Sequence, residues 1–382
     1  VPIATAVNIA DLRVRAKRRL PRVLFDWIDG GAGDEAGVRA SIDAFAAHRF
    51  APRYLVDVSK RDLSKDLFGR TWGLPFGVAP TGFAGLFWPD GDLLLAQAAR
   101  AANVPFILSG TSVATIEEAA AQGVDNLWFQ LYAARDPSIT RDLLARAEAV
   151  GIRTLVLTVD LPVPAKRERD IRNGFGVPMT IDARKLLDGA LHPAWTLQWL
   201  QRGGMPMMGS WARYAPKGAS PQHVAMFMNA QVYATQTWPD LERYRQQWPG
   251  RLVIKGLQHP DDALRAVDAG CDGIIVSNHG GRQFDRAPTP LESLPSIRAA
   301  VNGRIPVMLD GGVRRGADIA IAICLGADFV FTGRATLWGL AAAGLPGATH
   351  ALKILKDELD VTMGQIGRTA IAQLTGDALW GM

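Results

Sequence analysis

Cysteine is nearly absent. Of 382 residues only Cys271 and Cys324 carry thiols, each in an apolar stretch. They cannot frame a disulfide scaffold and are expected to be buried and reduced, as in a cytoplasmic protein. Long apolar runs are missing too, since no uncharged stretch reaches the roughly 18 residues a spanning helix needs, so no transmembrane segment is expected. The first residues lack a charged start, an apolar core and a small-residue cleavage site, and Asp11-Leu12-Arg13 interrupts them early, so no leader is expected. Charge of one sign is also scarce. The net +5 is spread over 42 basic and 37 acidic residues that interleave throughout, which gives no reason to invoke nucleic acid. A short basic run, Lys17-Arg18-Arg19, falls on an amphipathic segment and reads as a solvated face.

What is present is ordinary globular composition, 48% hydrophobic and 21% charged, enough for a large core. Residues 8 to 31 read as two short helices broken at Leu20-Pro21, the second closed by Gly30-Gly31 in a left-handed cap. From residue 75 short apolar runs alternate with Ala-rich helical segments, the pattern of βα units around a parallel sheet. The runs begin at Phe76, Phe106, Leu127, Leu155, Leu252, Ile274, Val307 and Phe329. Segments such as 93–102, 116–121, 260–269 and 317–325 have the apolar spacing of helices packed outside them. A closed (β/α)8 barrel of the TIM type is therefore expected, one domain over residues 1–382, with an open doubly wound sheet as the rival. The barrel is favoured because polar residues gather at the C-terminal ends of successive runs, where all eight loops face one site.

One gap breaks the rhythm. About ninety residues separate the fourth run from the fifth, too many for a structureless loop in a compact domain. Residues 178–218 are read as an insertion there. They carry Trp195, Trp199 and Trp211 with Met205, Met207 and Met208, interrupted by Arg202 and Gly203-Gly204. Three readings stand: a lid packed on the barrel, a one-leaflet membrane contact, or a subunit contact.

The chemistry concentrates where runs end. Ser277-Asn278-His279-Gly280-Gly281-Arg282-Gln283 follows the sixth run and delivers an imidazole and a guanidinium, three residues apart, to a glycine-bent loop. A His can take up a proton near neutral pH, and an Arg offers a planar fork for a carboxylate, so the pair suggests abstraction from a small carboxylate substrate. Asp310-Gly311-Gly312-Val313-Arg314-Arg315 follows the seventh run and Gly333-Arg334 the eighth, the usual phosphate site of a barrel. The other ends add Thr81-Gly82, Ser109, Gln130, Tyr132, Thr158, Asp160, Arg167 and Lys255. Ser, Gln and Thr suit the polar edge of a flat heterocycle, and Lys255 a place where that ring gains negative charge on reduction. No metal site is read from this set.

These motifs resemble the FMN-dependent L-2-hydroxy acid oxidase/dehydrogenase family over about residues 8 to 376. The resemblance rests on residues 277–283, on Leu309-Asp310-Gly311-Gly312-Val313-Arg314-Arg315-Gly316 and on Trp128-Phe129-Gln130-Leu131-Tyr132. It implies a flavoprotein oxidoreductase that turns an S-configured 2-hydroxy acid into a 2-oxo acid and passes two electrons through FMN to a quinone-type acceptor or oxygen. By the same resemblance His279 is the base, paired with Asp160. Arg282 and Arg167 hold the carboxylate, and Tyr132 bonds at the reacting centre. Lys255 sits by the flavin with Thr81, Gly82, Ser109, Gln130, Thr158 and Ser277. Asp310, Gly312, Arg314, Gly333 and Arg334 serve the phosphate end. A homo-oligomer, by family pattern a tetramer, is implied, cytoplasmic with peripheral contact on the inner face of the cell membrane. One departure stands out: Trp27 occupies a position where the family commonly has a Tyr that helps bind the carboxylate. Thr111, where plant glycolate oxidase has a Trp, leaves room for a larger side chain, and the stretch Gly82-Phe83-Ala84-Gly85-Leu86-Phe87-Trp88-Pro89 resembles the mandelate-oxidising members, which together favour an aromatic or bulky hydroxy acid over lactate. The alternatives are another phosphate-binding barrel, an isomerase or an aldolase with Lys255 as nucleophile, and a flavin-binding membrane protein whose turnover Trp27 has impaired.

Overall fold

Eight parallel strands close on one another in the computed structural model, which describes residues 2–176, 181–232 and 236–381. They are β1 (Phe76–Val78), β2 (Phe106–Leu108), β3 (Leu127–Leu131), β4 (Thr154–Thr158), β5 (Arg251–Leu257), β6 (Gly273–Val276), β7 (Val307–Asp310) and β8 (Phe329–Thr332). The ring closes where Phe331 of β8 pairs with Gly77 of β1. Each expected apolar run lies on a strand, and the open-sheet rival is excluded. The runs are continuous rather than alternating because both faces of an all-parallel sheet are covered.

The inner face is filled by Ile107, Trp128, Val156, Val253, Ile275, Met308, Phe329 and Phe331. An antiparallel hairpin, Lys65–Leu67 with Arg70–Trp72, adds Leu67, Phe68 and Trp72 to the same cluster and so plugs the N-terminal end of the barrel. Outside, helices Gly91–Ala101, Ile116–Ala120, Pro260–Asp268 and Gly316–Cys324 fall where the apolar spacing put them. Cys271 and Cys324 are buried, unbridged core residues.

The N-terminal helices, Ile9–Arg19 and Arg22–Asp29, correct two expectations. Gly30 ends the second helix with φ −75°, extended rather than left-handed. Glycine is needed there for space: a Cβ on Gly30 would lie 2.7 Å from the Asp26 carbonyl oxygen, and one on Gly31 2.7 Å from that of Gly281. Lys17 and Arg18 are solvated, but Arg19 is not. Its guanidinium lies 4.1 Å over the Trp88 ring and donates to the Phe87 carbonyl at 2.9 Å and to Gln198. Burial pushes it down to about 10.

Between β4 and β5 the chain builds helices Glu168–Arg172, Ala183–Leu191, Pro193–Gln201, Gly209–Ala212, Pro221–Val232 and Trp238–Gln247. Residues 178–180 of the segment read as an insertion lie outside the described residues. The rest of that segment divides. Met208 and Trp211 are buried, and the Trp211 indole N–H donates to the Gly110 carbonyl at 2.7 Å. Trp195 donates to the Leu86 carbonyl at 2.9 Å and stacks on Trp199. Those residues pack on the barrel. Leu186, Leu187, Leu191, Leu197 and Leu200 point the other way, between 59% and 70% exposed.

The barrel interior yields a stability test. Phe329 is fully buried and lies 5.5 Å from the Phe331 ring. Truncation to Ala leaves a cavity in a closed space and should cost about 3–5 kcal/mol by equilibrium denaturation. A loss below about 1 kcal/mol would show that the interior can collapse around the gap.

Candidate active site

The loop after β6 is held by its own side chains. Asn278 accepts from the Gly281 N–H at 3.2 Å and donates to Ser41 at 2.9 Å, which pins the turn His279–Gly281. Gly281 has φ +74°, and a Cβ there would lie 2.5 Å from the Val38 nitrogen, so only glycine fits. His279 itself has φ +56°, a left-handed conformation that is unusual for a side chain branching into a ring. Its backbone N–H donates to the Ser277 hydroxyl at 3.0 Å, which helps hold it there.

This conformation sets the His279 Nδ1 at 3.0 Å from Asp160 Oδ1. Asp160 finds room because β5 is irregular between Lys255 and Leu257, where Gly256 takes φ +107°; a Cβ on Gly256 would lie 2.7 Å from the Asp160 side chain. Burial pushes the imidazole below 6.5, and Asp160 opposes this only in part. Burial pushes the Asp160 carboxyl up, but the His279 imidazole and then Lys255 outweigh it and hold it below the usual range. The imidazole is therefore neutral at neutral pH, with Nδ1 engaged and Nε2 the nitrogen left for other chemistry.

Cations crowd the same end of the barrel. Arg282 donates to the carbonyls of Trp27 and Gly30, and its guanidinium lies 4.5 Å over the Trp27 ring. Its Nη2 is buried without a partner. Burial, with Arg167 and Arg334 nearby, holds this guanidinium well below its ordinary value. Arg167 donates to the Arg282 carbonyl at 3.1 Å and to Gln283 at 2.7 Å. Arg334 donates to the carbonyls of Ile28, Gly280 and Gly30, and Arg314 to that of Val313. Burial pushes Arg314 down to about 9 and Arg334 to about 10. These acceptors are carbonyl or amide oxygens, not carboxylates, so the charge is left to be met by an anion. Lys255 differs, bonded to Ser277 at 2.8 Å and ion-paired with Asp310 at 3.2 Å.

A cavity of about 350 Å³ opens among these groups. Its wall includes Thr81, Gly82, Tyr132, Thr158 and Lys255; His279, Arg282, Arg167 and Trp27; and Asp310, Gly312, Arg314, Gly333 and Arg334. Asp160, Ser109, Gln130 and Ser277 stand behind it. Gln130 accepts from the Gly110 N–H at 3.0 Å, which leaves its Nε2 buried and unpartnered. Thr81 Oγ1, Thr158 Oγ1 and Asp310 Oδ1 are unpartnered as well. Interiors satisfy nearly all such atoms, so a cluster of them at strand ends calls for a flat polar partner. Gly312 has φ +83° and its Cβ would lie 1.9 Å from the Ser41 carbonyl oxygen, so the loop beside Arg314 stays bare. A flavin ring against Thr81, Gly82, Gln130, Thr158 and Lys255 and a phosphate against Gly312, Arg314, Gly333 and Arg334 fit these residues.

Comparison with known proteins agrees. A family model described as FMN-dependent dehydrogenase matches residues 16–381. The chain belongs to the FMN-dependent dehydrogenase family. It is 43% identical to (S)-mandelate dehydrogenase of Pseudomonas putida over 97% of this chain and 93% of that one. It is also 43% identical to L-lactate dehydrogenase of Caulobacter vibrioides, over 96% of each. A solved structure of the monotopic membrane protein (S)-mandelate dehydrogenase superposes with a TM-score of 0.95 at 42% identity, covering 99% of this chain and 100% of that one. FMN is the cofactor of this dehydrogenase family, and the isomerase and aldolase alternatives fall away. The engagement of Lys255 by both Ser277 and Asp310 is consistent with that outcome.

Sequence reasoning missed part of the wall. Met228, Asn229 and Val232 come from helix Pro221–Val232, beyond the expected end of the insertion at 218, and Asp170, Ile171 and Phe175 from the chain after Arg167. Burial raises the Asp170 carboxyl above its usual range, against the pull of Arg282 and Arg167. Its place three residues after Arg167 was the available signal.

The imidazole can be titrated directly. NMR of the His279 ring should give a midpoint below 6.5, and Asp160→Asn should lower it further by removing the attraction for the protonated form. A rise in the variant would show that Asp160 does not face the charged ring.

Proposed function

We propose that this FMN-dependent dehydrogenase oxidises an S-configured 2-hydroxy acid, aromatic or otherwise bulky, to the 2-oxo acid. The observation that carries the reading is the pairing of His279 with Asp160 at 3.0 Å in the same cavity as Arg282, whose Nη2 is buried and unpartnered. Arg282 and Arg167 would hold the carboxylate. Tyr132 would bond at the reacting centre, and His279 would take the proton through Nε2 while Asp160 stabilises the imidazolium. Thr81, Gly82, Ser109, Gln130, Thr158, Ser277 and Lys255 would hold the flavin ring, with Asp310, Gly312, Arg314, Gly333 and Arg334 at the phosphate arm. FMN when bound supplies the acceptor for two electrons.

Trp27 takes a different part from a Tyr. Its carbonyl and its ring face both hold Arg282, so the residue orients the carboxylate fork without a hydroxyl of its own. Its indole also meets Phe83, Phe87 and Phe175 at 5.5 to 5.9 Å. Trp27, Phe83 and Phe175 with Ile171, Met228 and Val232 make an apolar wall that supports a bulky side chain, as does the identity to a relative named for mandelate. This arrangement speaks against impaired turnover.

A second element of the reading is attachment to a membrane surface through helices Ala183–Leu191 and Pro193–Gln201, with electrons leaving to a quinone-type acceptor. Their exposed leucines support it, as does the likeness to a monotopic membrane protein. No described helix is long and apolar enough to cross a membrane, so the contact would be in one leaflet. Met208 and Trp211 take no part, being buried.

Under anaerobic conditions (S)-mandelate should bleach the flavin faster than L-lactate, and (R)-mandelate should not. His279→Gln should keep FMN and lose at least about 10²-fold in flavin reduction; near-normal rates would overturn the base assignment. Because the imidazole is held below 6.5, reduction should be full at neutral pH and fall only on the acid side of 6.5.

Vesicle binding tests the second element. Each inserted Leu could contribute about 1.5–3 kcal/mol, so Leu187→Ser, Leu191→Ser and Leu197→Ser together should release the enzyme from anionic lipid vesicles with its flavin reduction intact. Failure of the intact protein to sediment with vesicles would leave these leucines to a subunit contact.

A further inference from the structure

A second cleft of about 350 Å³ lies at the opposite end of the barrel, where the plugging hairpin meets the segments that lead into β3, β4 and β5. Its walls include Phe68, Trp72 and Trp128, and it is bordered by Arg70, Arg153 and Arg251. Nothing in the flavin chemistry uses it.

Three observations point to a ligand. The first is unbalanced charge, three arginines to one acidic residue, Asp125, in the lining. Arg70 stacks 4.0 Å over Trp72 and donates to the Asp125 carbonyl and to the Asn103 side-chain oxygen, neither of them a carboxylate. Arg251 lies 5.4 Å over Phe68, and Arg153 and Arg251 have no carboxylate within 4.0 Å among the described residues. The second is contrast with the same rim. Aspartates that precede β6 and β8 match other arginines, Asp272 with Arg245 and Asp328 with Arg298, each at 2.7 Å. The third is an orphan donor: Trp72 is 3% exposed, and its indole N–H has no partner. A buried indole N–H usually finds an acceptor.

We propose that this cleft binds a small organic carboxylate with a flat apolar body. The body would lie among Phe68, Trp72 and Trp128, the carboxylate would meet the guanidiniums, and the Trp72 N–H would donate to a ligand oxygen. Arginine suits this task because its planar fork pairs with carboxylates and its face stacks on rings. The site is separate from the catalytic cavity, which opens at the other end of the strands. Hydroxy acids and oxo acids with aromatic side chains share this chemistry, so substrate or product would be able to occupy both ends.

Radiolabelled benzoate and the FMN-loaded enzyme provide the test. Equilibrium dialysis counts all bound benzoate, while the change in flavin absorbance reports the catalytic cavity alone. Two benzoates per chain are expected, one of them silent in the flavin spectrum. Arg153→Glu with Arg251→Glu, both at exposed positions, should weaken the silent site about tenfold or more and leave the flavin-linked midpoint in place. Trp72→Phe keeps the ring and removes the N–H, and should weaken the silent site alone. If the double substitution reduces no bound benzoate, the proposal is overturned. Because the double variant reads the far cleft directly, the result holds whether or not the flavin responds to benzoate.

Discussion

Burying several cations at one end of a barrel is the constraint on which the rest of this structure depends. Isolated buried charge is expensive, and Arg282, Arg314 and Arg334 offset that cost with backbone carbonyls rather than carboxylates. Most of those carbonyls come from far away in sequence. Trp27, Ile28 and Gly30 accept from Arg282 and Arg334, so the end of helix Arg22–Asp29 is bound to strand ends some 250 to 300 residues later. The N-terminal helices are thus part of the site and not a preamble to it. Carboxylate partners would have neutralised the guanidiniums. Carbonyl partners fix their positions and leave their charge to anions, in the proposed function a substrate carboxylate and a phosphate.

Close backbone approach is the second requirement. Gly281 lies against Gly37 and Val38, Gly312 against Ser41, and Gly256 against Asp160, each at a distance no side chain tolerates. These contacts bring helix Ala36–Ala46 up to the loops after β6 and β7 and open the space in which Asp160 meets His279. A sequence displays such glycines without displaying their neighbours. That is why Gly30 reads as a left-handed cap although its backbone is extended and its lack of a side chain serves packing against Asp26.

The strands were legible because an all-parallel sheet buries both faces and writes each strand as an unbroken apolar run. Polar residues at the ends of those runs located the cavity, and His279 and Arg282, singled out by their spacing, both line it. The far wall was not legible. Met228, Asn229 and Val232 sit on a helix with no distinctive pattern, and only the packing of the long β4–β5 connection brings them over the site. Within that connection, composition alone left the tryptophans and methionines open between a lid packed on the barrel, a membrane contact and a subunit contact. The structure turns Trp195 and Trp211 inward, because an indole N–H can bond a carbonyl on the barrel, while the leucines beside them have no polar handle and face outward.

These features join into one set of contacts. Gln198, between the exposed Leu197 and Leu200, accepts from Arg19, and Trp195 bonds the Leu86 carbonyl. Arg19 also bonds the Phe87 carbonyl, and the Phe87 ring packs on Trp27 at 5.5 Å. Trp27 in turn carries Arg282 on its ring face. From the outward leucine face to the guanidinium assigned to the carboxylate, each step is a packed ring or a hydrogen bond, with no flexible linker among them. A surface that docks through those leucines would therefore bear on the same short helix, Ala84–Phe87, that backs the substrate end of the cavity. The proposed anchoring face and the proposed binding site thus share their supports.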